Sequence, residues 1–232
     1  MPARTFGRLR HPFHVPDNGL LGSHDASSKR LFFTYRDEHV RRLIQLHPEI
    51  RLMNYCSQCG AQVNLQIPPG DDRPRYVCRT CGEIHYQNPK IVVGCLPQWE
   101  DRVLMCRRNI EPQKGKWTLP AGYLEMGETV IQGARRETLE ETGAVVQELI
   151  PYVLFDILYV NQIYLMFRAS LQKPEFKATP ESAEVVLMRE EEIPWDQIAF
   201  RAIENTLRRY FRDRPSGRFP FRIRRIQKKV RF

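Results

Sequence analysis

No apolar run in this 232-residue chain approaches the roughly 18 residues that span a bilayer, so a membrane-spanning helix is not expected. The first residues also lack the apolar stretch and small-residue cleavage site of a secretory leader. The expected compartment is therefore cytoplasmic. Histidine has no metal-binding spacing: five of the six lie irregularly within residues 1–52 and read as surface groups. There is no internal repeat of solenoid period. At 42% hydrophobic residues, the chain can bury one core with a small module beside it.

Acidic residues are scarce at the ends. Residues 1–52 hold 9 Lys/Arg against 5 Asp/Glu, and residues 206–232 hold 11 against 1. The segment between them holds 16 against 21, a net charge of −5. The overall +9 thus belongs to the ends. An acidic body with basic ends suits a cation site better than a surface for nucleic-acid phosphates.

Four regions follow. Residues 1–52 carry scattered Pro, Gly, Ser and His and read as loop or disorder, with a short helix in "RDEHVRRLIQL". They are read as an extension upstream of a native start at Met53. A transit peptide is the alternative, since only Asp17 and Asp25 are acidic in the first 36 residues. Residues 53–88 form a cysteine module, 89–212 a catalytic domain and 213–232 a basic tail. Pro215, Gly217 and Pro220 interrupt that tail and its charges repel, so it is expected to be mostly disordered. Weak binding of nucleic acid or anionic surfaces is the only such contact expected.

"CSQC" at 56–59 and "CRTC" at 78–81 are C-x2-C pairs separated by eighteen residues. Cys56, Cys59, Cys78 and Cys81 at this spacing suit one tetrahedral structural Zn²⁺. Two disulfides in a secreted protein are the alternative, which the missing leader disfavours. "PPGDDRP" marks a turn between two short strands. Cys95 and Cys106 lie in apolar stretches and read as core thiols.

From Lys90 onward the pattern is β. "KIVVGCLPQ" and "RVLMCRR" form a hairpin, and three further strands follow residue 144. Thr129 with Gln132 starts a helix through a capping box, with Val130, Ala134 and Thr138 on its buried face. Ile203, Leu207, Tyr210 and Phe211 mark a second amphipathic helix. The fold class is α/β, with a helix on each side of a sheet.

"RRETLEETG", residues 135–143, ends the first helix with three carboxylates where the helix dipole is negative. At about 100° per residue, Glu137, Glu140 and Glu141 fall within an arc of roughly 100°. Gly133 shares that arc one turn earlier. A divalent cation with a preference for hard oxygen ligands, Mg²⁺ or Mn²⁺, explains this placement. A solvated acidic face braced by Arg136 and Glu140 is the alternative.

The longer stretch "GYLEMGETVIQGARRETLEETGA", residues 122–144, resembles the Nudix box, G-x5-E-x7-R-E-U-x-E-E-x-G-U. Gly122, Glu128, Arg136, Glu137, Glu140, Glu141 and Gly143 are in register. Thr138 and Ala144 occupy bulky-aliphatic slots, which puts local packing in question. The resemblance implies a Nudix α/β/α sandwich with a small N-terminal zinc ribbon, hydrolysing a nucleoside diphosphate linked to another moiety. It implies that Glu137, Glu140 and Glu141, with a backbone carbonyl at Ala121 or Gly122, hold the catalytic metal. It makes Arg136 the residue that orients the glutamates and Glu128 a supporting ligand through water. Glu181 and Glu184 are the candidates for general base. Arg108, at a strand end beside Arg107, is a candidate phosphate grip, and Tyr123, Tyr159 and Tyr164 are candidate platforms for a flat ring.

The ribbon, "YQNPK", "GKWTLPAGYLE" and "EEIPWDQIAF" are similar to the zinc-ribbon Nudix group that includes FAD/ADP-ribose diphosphatases. FAD, cleaved to FMN and AMP, is expected first and ADP-ribose second, because the S-Q-P-W-P-F-P-type motif of NADH pyrophosphatases is missing after the box. NADH pyrophosphatase activity, or a non-catalytic sensor or nucleic-acid-binding protein, are the alternatives. A homodimer is a further expectation.

Overall fold

Residues 53–227 are described in a computed structural model of the protein. The expected extension and short helix within residues 1–52, and the last residues of the tail, lie outside that range. Among the described residues no helix is long and apolar enough to cross a membrane.

The cysteine module is a three-stranded antiparallel sheet in the order β1 (Val63–Gln66), β2 (Arg75–Cys78), β3 (Ile84–His85). The turn signal at 68–74 joins β1 to β2, as its proline, glycine and aspartates require.

The larger sheet has its own logic. β4 (Lys90–Trp99) and β5 (Arg102–Arg108) form the expected hairpin, with Glu100 at positive φ in the turn. Two short strands follow, β6 (Trp117–Thr118) against β5 and β7 (Ala121–Tyr123) against β4. Helix α1 (Val130–Thr142) leads to β8 (Val146–Ile157), β9 (Gln162–Leu171) and β10 (Ser182–Met188). Helix α2 (Arg201–Asp213) and β11 (Arg222–Arg225) complete it. The strand order is β10-β5-β4-β9-β8-β11, with β4 parallel to β9 and β8 parallel to β11.

Strand alternation divides the core. Val103 and Met105 join one cluster with Ile203, Leu207, Tyr210 and Phe211 of α2. Leu104 joins the other, with Val93, Phe167 and Ala134 of α1. The sheet therefore carries a helix on each face, as expected. Cys95 and Cys106 are buried core thiols. Thr138 and Ala144 are fully buried, and the Thr138 hydroxyl donates to the Ala134 carbonyl at 2.7 Å. Small residues in those slots thus pack against the sheet without an unpaired polar group.

The basic tail differs from expectation. Instead of being mostly disordered, it continues into β11, which pairs with β8 in register Arg222↔Val153 to Arg225↔Asp156. Local anchors outweigh charge repulsion. Phe219 stacks on Tyr210 at 5.8 Å, and Ile226 is buried in the α2-side core. Asp213 accepts from Tyr152 Oη at 2.8 Å and from Arg222 Nη1 at 2.6 Å, tying β8, α2 and β11 together. Burial opposes the Asp213 charge, yet the bonds from Tyr152 and Arg222 hold its carboxyl below the usual range.

Arg222→Ala would leave Asp213 buried without its cation. The expected cost is about 3 kcal/mol, read as a Tm lowered by on the order of 10 °C in thermal unfolding. An unchanged Tm would show that the pair does not anchor β11.

Candidate functional site

In the ribbon, tight turns bring the thiols together. The Gly60 N–H donates to the Cys56 carbonyl at 2.9 Å and the Gly82 N–H to the Cys78 carbonyl at 3.1 Å. Both glycines have positive φ, 73° and 76°, which a side chain would strain. All four sulfurs lie within 4.8 Å of one another. Cys56–Cys81 and Cys59–Cys78 are 3.7 and 3.4 Å apart, and all four are free thiols. Four sulfurs around a zinc at about 2.3 Å would be about 3.8 Å apart, so the cluster fits that ion. Backbone N–H groups of Cys81 and Thr80 lower the Cys78 thiol to about 6. Cys81, against a backbone bond from Glu83, is pushed up to about 12 by Cys59 and Cys78, so the four crowded thiols do not all ionise without a cation. His85 Nε2 lies 3.3 Å from Cys56 Sγ. Sequence reasoning missed this contact, although His85 is the only histidine beyond residue 52.

The carboxylate site is built at the other module's first helix. The capping box is present: Gln132 N–H donates to Thr129 Oγ1 at 3.2 Å and Thr129 N–H to Gln132 Oε1 at 2.8 Å. The helix ends at Gly143, with φ 67°. The next loop covers its free carbonyls, through Lys177 N–H to Thr142 at 2.9 Å and Thr179 Oγ1 to Glu141 at 3.2 Å. This cover leaves Glu181 at the carboxylate end of the helix.

Arg136 is the hub. Its Nε and Nη2 donate to both oxygens of Glu128 at 3.0 and 2.7 Å, and Nη2 also donates to the Tyr123 carbonyl at 3.1 Å. Nη1 donates to Glu137 at 2.8 Å and Glu140 at 3.0 Å. Glu128 also accepts from the Glu125 N–H at 2.7 Å. The bond from Arg136, with that N–H, holds the Glu128 carboxyl down at about 2. Both Glu128 oxygens are therefore engaged by Arg136.

Glu137 and Glu141 are buried, while Glu140 is exposed. Gly122 lies against Glu137 so closely that an added Cβ would overlap the carboxylate. Glu141 Oε2 accepts from the Ala121 N–H at 2.9 Å. Burial pushes the Glu141 carboxyl up to about 8 against that hydrogen bond, with Glu137 and Glu181 adding and Arg108 opposing. Glu137 is raised by burial too, against its bond to Arg136, with Glu140 and Glu181 adding. One guanidinium thus faces more carboxylates than it can neutralise. A set of hard oxygens short of positive charge fits Mg²⁺ or Mn²⁺. Gly133 has a packing role of its own: a Cβ there would meet Glu128, Leu124 and Val93 at 2.8–3.0 Å.

The other candidates separate. Glu181 acts electrostatically on both buried glutamates. Glu184 instead pairs with Arg107 at 3.2 Å. Arg108 Nε donates to the Pro112 carbonyl at 2.8 Å, and its guanidinium lies 5.1 Å from the Phe200 ring. Tyr164 is raised to about 12 by burial, with Tyr123, Tyr159 and Glu141 adding and Arg108 opposing. Those tyrosines and Arg108 therefore share one neighbourhood beside Glu141. Tyr123 is half exposed, accepts from Gln162 at 2.9 Å and lies 4.9 Å beneath Lys90 Nζ.

Comparison with known proteins agrees with this geometry. The family described as "NUDIX domain" matches residues 88–211, and "Nudix N-terminal", a zinc ribbon, matches residues 54–87. The chain is 50% identical to a NUDIX hydrolase from Nitrosomonas europaea of known crystal structure. That match has TM-score 0.72 and covers 76% of this chain and 100% of that one. The NAD-capped RNA hydrolase NudC of Photobacterium profundum is 28% identical over 75% of this chain and 65% of its own length. The Salmonella heidelberg protein of the same description is 30% identical over 63% and 51%. The chain thus spans between about half and two thirds of these two relatives. An ADP-ribose pyrophosphatase from Streptococcus suis shares the fold, at 18% identity and TM-score 0.50, over 59% of this chain and 99% of that one.

Two expectations follow. Protein purified without chelator should contain one zinc per chain by elemental analysis, and Cys59→Ala should lose it; zinc-free wild type would refute the assignment. Glu141→Gln should lower kcat by about 10²–10³-fold at saturating Mg²⁺, with the Tm of the metal-free protein unchanged or raised, because shape is kept and a carboxyl whose ionisation burial penalises becomes a neutral amide. Near wild-type turnover would place the metal elsewhere.

Proposed function

Since the chain belongs to the NUDIX domain family, we propose that it hydrolyses the pyrophosphate bond of a nucleoside diphosphate linked to another moiety. The observation that carries this reading is the carboxylate set at the end of α1, oriented by Arg136 and by the Ala121 N–H. Glu137, Glu140 and Glu141, with a backbone carbonyl of Ala121 or Gly122, would hold Mg²⁺ or Mn²⁺. Such ions neutralise phosphate charge and lower the pKa of an attacking water.

The protein's own groups do the positioning. Arg136 fixes Glu137 and Glu140, and Glu128 fixes Arg136 from the loop side. Glu181 accepts the proton of the attacking water as its oxygen bonds to phosphorus and the bridging P–O bond breaks. Glu184 is the weaker candidate, because Arg107 already engages it. Arg108 holds a non-bridging phosphate oxygen. Tyr123, with Tyr159 and Tyr164, forms the aromatic wall against a substrate ring.

Among substrates, the relatives described as NAD-capped RNA hydrolases support a nicotinamide dinucleotide, split into AMP and nicotinamide mononucleotide. This reverses the order expected from the sequence, which put FAD first and ADP-ribose second. Those two remain a second reading on one observation, that residues 146–167 lack the S-Q-P-W-P-F-P-type motif. A non-catalytic sensor is disfavoured by the complete set of box carboxylates.

The test is a kcat/KM panel of NADH, NAD⁺, FAD, ADP-ribose and diadenosine polyphosphates with Mg²⁺ and Mn²⁺, using a phosphatase to reveal the new monoesters. NADH or NAD⁺ is expected to lead. A hundredfold preference for FAD or ADP-ribose would overturn the substrate, and no cleavage of any member would overturn the activity.

A further inference from the structure

Six arginines line a cleft of about 260 Å³ between α2 and β11. Arg208, Arg209 and Arg212 come from the helix, and Arg222, Arg224 and Arg225 from the strand. Asn205 of α2 and Val153 and Phe155 of β8 complete the lining. Helix and strand run in opposite directions. Arg222 meets Asp213 at the end of α2, and Arg201 at its start donates to the Gln227 carbonyl. Arg222 and Arg224, in register with Val153 and Phe155, lie on the α2 side of β11 by strand alternation and face the arginines of the helix. Arg225 borders the cleft at the end of the strand, which runs about 13 Å for four residues.

Carboxylates answer only part of this charge. Arg208 pairs with Glu204 at 2.9 Å and Arg222 with Asp213 at 2.6 Å. Arg209, Arg212, Arg224 and Arg225 have no carboxylate partner among the described residues. Guanidinium groups facing each other across a narrow cleft repel, and an anion lying between them removes that repulsion. Their planar forks match phosphate oxygens in pairs. Phe155 pairs with Tyr164, Tyr164 with Val92 and Val92 with Tyr123 along one row of neighbouring strands. That row places the cleft three strand spacings, about 14 Å, from Tyr123, so it is distinct from the carboxylate site.

We propose that this cleft binds the phosphate backbone of a single-stranded nucleic acid. The inference goes beyond the catalytic reading and does not rest on it. A row of unpaired arginines on two walls suits several phosphates in succession, whereas one free polyphosphate engages one end of the row. A flat bilayer cannot enter a cleft bounded by a helix and a strand. The acidic body of the chain accordingly carries its nucleic-acid surface on the one stretch where acidic residues are nearly missing.

The experiment is fluorescence anisotropy of a labelled single-stranded RNA with the full chain and no added divalent metal, so that no turnover intervenes. Four phosphate contacts predict a slope of log affinity against log salt of about −3, or about fifty-fold weaker binding between about 50 and 200 mM salt. Arg212→Gln/Arg224→Gln should weaken binding and bring the slope to about −1.4. Lys173→Gln/Arg218→Gln, with equal charge change at exposed positions outside the lining, should leave both unchanged. Dinucleotide turnover should be the same in both variants if the enzyme is active, so failure of the catalytic reading leaves the binding result interpretable. Equal losses in the two variants, or no binding by wild type, would overturn the proposal. So would displacement of the RNA by ATP or polyglutamate at matched charge concentration, which would assign the cleft to a free polyphosphate or an acidic peptide.

Discussion

One guanidinium holds the loop that precedes α1 against the helix that carries the acids. Arg136 reaches Glu128 and the Tyr123 carbonyl on one side and Glu137 and Glu140 on the other. Without it Glu137 and Glu140 would repel each other toward the negative end of the helix dipole. The arrangement fixes the loop, because Glu128 is bound at both oxygens. It also leaves the acids incompletely neutralised, a charge balance that suits a cation.

Packing sets how closely these groups meet. β7 lies beside β4 with Gly122 facing Glu137, and no larger residue fits there. The Ala121 N–H, one residue away, points at Glu141 instead of completing a ladder. A single short strand thus provides both the gap for one carboxylate and the donor for another. The α2-side core supports Tyr159, Tyr164 and the Phe200 ring under Arg108. Tyr164 still feels the charges of Glu141 and Arg108, so the acids at the end of α1 and the tyrosines meet at one end of the sheet.

Much of this was legible beforehand, for identifiable reasons. The capping box at Thr129 and the αL stop at Gly143 are local in sequence, so their chemistry could be read directly. The four cysteines were readable because a tetrahedral ion dictates spacing. The partners of the acids were less accessible. Nothing near Glu141 in the sequence announces a donor twenty residues earlier, and Glu128 gave no sign that Arg136 would take both its oxygens. Net charge misled at the C-terminus. Eleven basic residues in 206–232 outweigh Phe219 and Ile226 in a composition, but not in a structure where those two side chains find Tyr210 and the core. Substrate choice was least legible, since an aromatic wall can be assembled from any distant tyrosines.

The parallel pairings carry a kinetic consequence. β4 meets β9 in the register Lys90↔Gln162, and β8 meets β11 in the register Val153↔Arg222, so each seam joins residues about seventy positions apart. Long loops must close before either seam forms a hydrogen bond, and the entropy of closure precedes the reward. The hairpins β4–β5 and β8–β9 can form early from local contacts. The sheet becomes continuous only when the β4–β9 seam closes, and β11 can dock only on a β8 already held in place. Folding of this domain is thus expected to run in the slow range of mixed α/β topologies, with β8 presenting a bare edge until its last neighbour arrives.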